Sequence, residues 1–363
     1  VVMWNHGDPA EIQARGGEIT DFPSWERVLK ELSAQAEARE DWAAAAGYLR
    51  MAEFFMAPDT PECHAAYDRA REIFYTHFTY LFAEQGGPIH REEVPYADGV
   101  LPCWRIVPAD TSKGAILFHG GNDSLLEEFT DALLYLAQGG YTVLAFEGPG
   151  QGAALRKSGL TFTPEWEKPV GAVLDHYGAE DVTIIGVSLG GELCMRAAAM
   201  EPRIRRVVSW SVLPSIYGAL MADKPAEIRA KLEHWLDENN RDAILDLYAG
   251  LAEREPLFRW SIQHSNYAYG TSDVYEYLQK ARAFTIEPVA ERITQDVLLL
   301  SAREDLLVDF ALYKQEIDLL KNTRSLEFAA PGRALNGQAH CNMGNTKYML
   351  DLILNWNDRM LER

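Results

Sequence analysis

The sequence predicts an α/β protein: a mostly parallel central sheet with helices on both faces, a helical unit in front and a helical insertion. Strand-length apolar runs such as Val182 to Val187 and Val297 to Leu300 alternate with amphipathic helical stretches, the pattern of parallel strands buried on both faces. Residues from about 24 to 85 read helical, and from Pro214 to about Arg292 the alternation halts in favour of helices rich in Tyr, Trp and charge. These breaks divide the chain into a helical cap at 1–88, core at 89–213, an inserted lid at 214–292 and core again at 293–363.

In the front unit the clearest helix starts at Thr60, with Pro61 in its first turn, and places Tyr67, Ala70, Phe74, Phe78 and Leu81 on one face before Gly86-Gly87-Pro88 stops it. Two β-like stretches, Ile89 to Val94 and Leu101 to Val107, then flank the turn Ala97-Asp98-Gly99. Strand Ala115 to Phe118 is followed by a helix from Ser124 to Gln138, and strand Thr142 to Phe146 by a helix opening at Thr163-Pro164. Strand Val182 to Val187 leads to a helix over Leu189 to Met200, and Val207 to Trp210 is the next strand. After the insertion come strands Val297 to Leu300 and Leu326 to Phe328 and a helix from about Thr346. An insertion at the carboxyl ends of parallel strands is expected to act as a lid, because ligands bind there.

Of the 363 residues 47% are hydrophobic and 24% charged, a globular composition. Acidic residues outnumber basic ones 54 to 34, a formal charge of −20, which argues against nucleic acid or an anionic membrane surface as partner. No apolar run approaches the roughly 20 residues of a membrane span. Val1 to Ala10 is polar and has no leader pattern; opening on Val rather than Met, the chain is expected to lack its natural beginning. Cys63, Cys103, Cys194 and Cys341 stand far apart without metal-ligand spacing, as expected of reduced thiols in a cytoplasmic protein. Neither a metal nor a cofactor is expected: Glu147-Gly148-Pro149-Gly150-Gln151-Gly152 is glycine-rich but lacks the Gly-Lys-Ser/Thr ending of a phosphate loop.

Gly186-Val187-Ser188-Leu189-Gly190 is a G-x-S-x-G set between a buried-strand pattern and a helix pattern. A serine on such a sharp turn needs small neighbours, and the helix N-terminus behind it favours a developing oxyanion. Ser188 is therefore the candidate nucleophile. Its hydroxyl needs a base, and the base a carboxylate to orient it. Asp305, after the Val297 strand and three residues before Val308, is the candidate acid, with Glu304 and Asp309 as competing readings. His340 follows the last expected strand in a polar loop, Gly337-Gln338-Ala339-His340-Cys341-Asn342, and is the candidate base. His64, His77, His176, His234 and His264 fall in helical stretches and read as packing or surface residues. For the oxyanion hole, one donor is the Leu189 backbone N–H; the other belongs to the loop His119-Gly120-Gly121-Asn122-Asp123-Ser124, with Gly121 first choice and Asn122 second. The His119 side chain reads as structural.

From about 95 to 363, on Gly186 to Gly190, Asp305 and His340, the chain resembles the α/β-hydrolase superfamily. The helical front, the His119 to Ser124 loop and Phe146 to Gly152 together resemble the 2,6-dihydroxypseudooxynicotine hydrolase-like group, which includes fungal polyketide-shortening hydrolases. That resemblance implies a Ser/Asp/His hydrolase acting, through an acyl-enzyme, on a carbon–carbon bond beside a carbonyl or on an ester. Its substrate would be a small aromatic or polyketide-like molecule. The lid aromatics Trp260, Tyr267, Tyr269, Tyr275 and Tyr277 suit such a substrate, although they equally suit the lid's own core. Acyl transfer or cyclisation on the same intermediate, and a catalytically silent binding protein, are the rival functions; a homodimer stays open.

Overall fold

The computed structural model describes residues 6–363, so the polar opening stretch lies partly outside it. The chain forms two compact units, one comprising Val1–Gly87 and Arg241–Val274, the other Pro88–Asn240 and Tyr275–Arg363.

In the first unit, helices Phe22–Ala38, Trp42–Phe54 and Pro61–His77 pack around Val28, Leu29, Leu32, Ala45, Tyr48 and Ile73. Their starts follow from capping: Asp21, Asp41 and Thr60 each accept a hydrogen bond from the backbone three residues on. The third helix ends at His77 rather than continuing to the glycines, and two short 3-10 turns, Thr79–Leu81 and Ala83–Gln85, replace its expected last turns. The expected lid at 214–292 is not one body, because its middle belongs to this unit. Trp260, on helix Pro256–Tyr269, stacks on Phe54 at 5.3 Å and meets Phe55 edge-on at 5.0 Å. Such aromatic burial is worth more than sequence proximity.

The second unit holds an eight-stranded sheet: β1 Ile89–Tyr96, β2 Gly99–Ile106, β3 Ala115–His119, β4 Thr142–Phe146, β5 Val182–Val187, β6 Ile204–Trp210, β7 Asp296–Leu300 and β8 Ser325–Ala329. Their order is β1-β2-β4-β3-β5-β6-β7-β8; β2 runs antiparallel to both its neighbours and β3 to β8 are mutually parallel. Every residue of β5 and β7 is buried, which is why these strands read as unbroken apolar runs. The chain leaves β3 for β4 on one side and returns to β5 on the other. The sheet's topological switch point therefore lies between β3 and β5, and the loops after these two strands leave from its carboxyl ends.

Two helices depart from expectation for local reasons. After β3 a 3-10 turn, Leu126–Phe129, precedes helix Thr130–Gln138, because Ser124 turns back to Gly121 and the Glu147 carboxylate holds the Leu126 N–H. After β4 the helix starts at Glu167, not Thr163, whose hydroxyl closes a turn on Glu165, and a short helix, Gly152–Arg156, lies between.

Glu192 on helix Gly190–Met200 and Glu316 on helix Leu312–Leu319 are buried carboxyl groups of this unit. Burial pushes each up to about 8; Arg196 works against this at Glu192, whereas the Glu192 charge adds to it at Glu316, opposed by the Leu213 backbone. Both are neutral at pH 7 in the fold and ionised in the unfolded chain. The stability they contribute is complete below the ordinary value of 4.5 and is lost as pH rises through about 8. Glu316→Gln, neutral at every pH, should flatten the fall in Tm between pH 5 and 9 seen with the parent; parallel curves would show that Glu316 is already ionised in the folded protein.

Candidate active site

The turn after β5 brings the nucleophile candidate into view. Ser188 adopts a left-handed backbone, φ +60°, with its N–H donating to the Trp210 carbonyl at 3.0 Å and its own carbonyl accepting from Gly191 at 2.8 Å. Only glycine fits around it. A Cβ on Gly186 would sit 1.9 Å from the Gly190 carbonyl oxygen, and one on Gly191 would sit 2.1 Å from that of Ser211. The helix starting at Gly190 points its N-terminus at the turn.

The Ser188 Oγ lies 2.9 Å from His340 Nε2, and His340 Nδ1 lies 2.7 Å from Asp305 Oδ2. With the ring proton on Nδ1 donated to the carboxylate, Nε2 presents its lone pair to the hydroxyl. The Asp305 side chain is only 4% exposed, and its other oxygen accepts from the backbone N–H groups of Leu307 and Val308 at 2.8 and 3.1 Å. That turn is the physical content of the acid-x-x-Val spacing. Neither competitor joins: Glu304 pairs with Arg333 in solvent, and Asp309 accepts from the Ala311 N–H.

His340 opens a kinked 3-10 stretch, His340–Asn345, in which Cys341 and Asn342 have positive φ. Burial disfavours its cation. The Cys341 side chain and the Asp305 carboxylate act the other way and leave its pKa well above 6.5. Sequence reasoning passed over Asn342, whose buried amide donates to the Ser301 carbonyl at 3.0 Å and the Gly337 carbonyl at 2.6 Å and accepts from Trp210 Nε1 at 3.2 Å. A lone amide carries no periodicity or motif that would have revealed it.

The loop after β3 lies against the nucleophile: a Cβ on Gly121 would be 2.7 Å from the Ser188 Cβ and 3.0 Å from the Leu189 nitrogen. The Gly121 N–H, first choice as the second oxyanion donor, donates to Ser124 Oγ at 3.0 Å. His119 is fully buried, with Nδ1 3.0 Å from the Gly120 carbonyl and Nε2 3.3 Å from Trp166 Nε1; burial pushes its pKa down to about 4, so it stays neutral. The other histidines contact neighbours: His77 stacks on Trp42, and His176 and His234 lie 3.5 and 3.3 Å from Glu92 and Glu238. Of the aromatics between 214 and 292, Tyr269 and Tyr277 are buried and Tyr275 donates to Asn239. Among the described residues no cluster of three His, Cys, Asp or Glu side chains is placed for a metal, and no helix is long and apolar enough to cross a membrane.

The model of the alpha/beta hydrolase fold family matches residues 116–336, from within β3 to the loop that carries His340. The chain belongs to the α/β-hydrolase family. Relatives of this hydrolase include hydrolase LUC6 of a Fusarium species, 29% identical over 74% of this chain and 70% of that one. Another is hydrolase ORFZ of Pyricularia oryzae, 27% identical over 94% and 89%. Among solved structures, the 2,6-dihydroxy-pseudo-oxynicotine hydrolase superposes with a TM-score of 0.69 over 99% of this chain and 95% of that one, at 18% identity, a likeness of fold.

A base whose proton affinity is raised must lose its proton before it can act. The acid limb of kcat/KM for p-nitrophenyl butyrate should therefore have its midpoint above pH 6.5. On the same ester Asp305→Asn should lower kcat about 10⁴-fold and Glu304→Gln no more than about twofold. The reverse order would move the acid one residue back.

Proposed function

We propose that this α/β hydrolase is a serine hydrolase. It cleaves a carbon–carbon bond beside a carbonyl, or an ester, through an acyl-enzyme on Ser188. The observation that carries the reading is the unbroken hydrogen-bonded line from Ser188 Oγ through His340 to Asp305. His340 takes the Ser188 proton as Oγ attacks the carbonyl carbon, and the Leu189 N–H together with the loop after β3, at Gly121 or Asn122, faces the resulting oxyanion. Collapse breaks the bond to the leaving group. An ester loses its alkoxide and a β-diketone its resonance-stabilised carbanion, and either takes the proton back from His340. Water, deprotonated in turn by His340, attacks the acyl-enzyme and releases a carboxylic acid and free Ser188.

A carbon leaving group departs only where a second carbonyl or an aryl ring delocalises its charge, so the substrate class is a small aromatic or polyketide-like ketone or ester. The resemblance carried by His119 to Ser124 and Phe146 to Gly152 supports that class. All four cysteines are free thiols, which supports a reducing compartment, the cytoplasm.

A fluorophosphonate probe should label the parent at Ser188 and leave Ser188→Ala unlabelled, with kcat lowered about 10⁴-fold or more and Tm nearly unchanged. Labelling at another residue, or full activity in Ser188→Ala, would remove the nucleophile. Incubated with 1-phenyl-1,3-butanedione, the parent should yield a free carboxylic acid and a ketone. A coupled product on adding an alcohol or amine would instead identify a transferase.

A further inference from the structure

Gln151 lies outside the triad and in the glycine-rich stretch that the catalytic reading leaves unused. Its side chain is 2% exposed and saturated. Nε2 donates to two successive carbonyls, Gly120 at 2.8 Å and Gly121 at 2.9 Å, while Oε1 accepts from the Gly148 N–H at 2.9 Å. The accepting bond fixes which end of the amide is which, so both N–H groups must face the loop after β3. Backbone carbonyls of adjacent residues in an extended chain point to opposite sides. One amide gripping both means the loop is turned so that two peptide units face the same way. Because each unit is trans, its N–H points opposite to its carbonyl. Gln151 thus directs the Gly121 and Asn122 N–H groups away from itself. The first meets Ser124 Oγ, and the second belongs to the peptide unit of Gly121, the residue packed against Ser188 and the Leu189 nitrogen.

The support beneath Gln151 is equally fixed. Gly152 has φ +36°, and a Cβ there would overlap the Glu147 carboxylate. That carboxylate in turn accepts from the Ala153 N–H at 2.6 Å and, across the gap to the loop after β3, from the Leu126 N–H at 3.0 Å. The β4 loop therefore grips the β3 loop at two points, and only Gln151 of the pair bonds to the residues beside Ser188.

We propose that Gln151 is a positioning residue: it holds the Gly120 and Gly121 carbonyls so that the face of the loop carrying the Gly121 and Asn122 N–H groups is turned to the developing oxyanion before the reaction begins. The proposal rests on the serine-hydrolase reading above. It assigns to Gln151 a part of transition-state stabilisation, not of substrate binding, since donors aligned in advance need no reorganisation at the moment charge forms.

The fluorophosphonate probe tests it, because phosphonylation also builds charge on an oxygen in that hole. In Gln151→Leu, kinact should fall about 10- to 100-fold with KI within about threefold, and kcat for p-nitrophenyl butyrate should fall in parallel with KM little changed. Gln151→Glu gives a signature that a merely structural role would not produce. Only a protonated carboxyl can donate to a carbonyl, and burial raises a carboxyl pKa, so the kinact ratio of variant to parent should rise as pH falls from 10 to 6. It also carries the test if the leucine variant does not fold. A kinact within twofold of the parent in a folded Gln151→Leu, or a pH-independent ratio in Gln151→Glu, overturns the assignment. An unlabelled parent overturns the serine-hydrolase reading itself.

Discussion

The left-handed backbone of Ser188 is the constraint on which the other parts depend. A non-glycine residue held there costs on the order of 1–3 kcal/mol and persists only where its surroundings over-determine it. They do so here from both sides. The Trp210 carbonyl takes the Ser188 N–H, the Gly191 N–H takes the Ser188 carbonyl, and glycine at 186, 190 and 191 lets strand, helix and the neighbouring loops close to distances that a Cβ would forbid. Burial of β5 between β3 and β6 keeps that scaffold from relaxing. The strain is offset by the sheet, and the hydroxyl is displayed at the switch point.

From that fixed point the rest of the site is an exercise in tying loops to strand ends. Asp305 is locked by two backbone N–H groups before it meets His340, so the carboxylate costs little further ordering when it orients the ring. The His340 loop is longer and kinked, and Asn342 anchors it by joining the ends of β6 and β7 to Gly337 through one buried amide. Gln151 likewise ties the loop after β3 to the loop after β4. Buried side-chain amides suit this task because they carry donors and acceptor without a charge to desolvate.

Much of this was legible in the chain itself, for identifiable reasons. Strands buried on both faces must be continuous apolar runs, so β3 to β7 stand out; the elbow needs glycines at fixed offsets, so Ser188 does too. Asp305 and His340 were reached by order along the chain and by the turn spacing to Val308. What escaped was whatever depends on contacts between distant segments. The grouping of Arg241–Val274 with the front helices rests on Trp260 meeting Phe54 and Phe55, and no periodicity encodes that meeting. The bond from the Gly121 N–H to Ser124 Oγ is likewise a matter of how one loop turns.

Glu192 escaped for a different reason: acids are ordinarily read as exposed, and this one is buried a single helical turn from the nucleophile. The first turn of a helix stabilises an anion, so on the serine-hydrolase reading proposed above an ionised Glu192 and the oxyanion would draw on the same positive end and would repel each other in a poorly screened interior. Burial resolves the competition by raising the Glu192 pKa to about 8, so that at neutral pH the side chain is a neutral acid. Held in that form, Glu192 fills its place in the core without opposing negative charge at Ser188. The same desolvation that makes a carboxyl group costly inside the protein keeps a second negative charge away from the helix N-terminus behind Ser188.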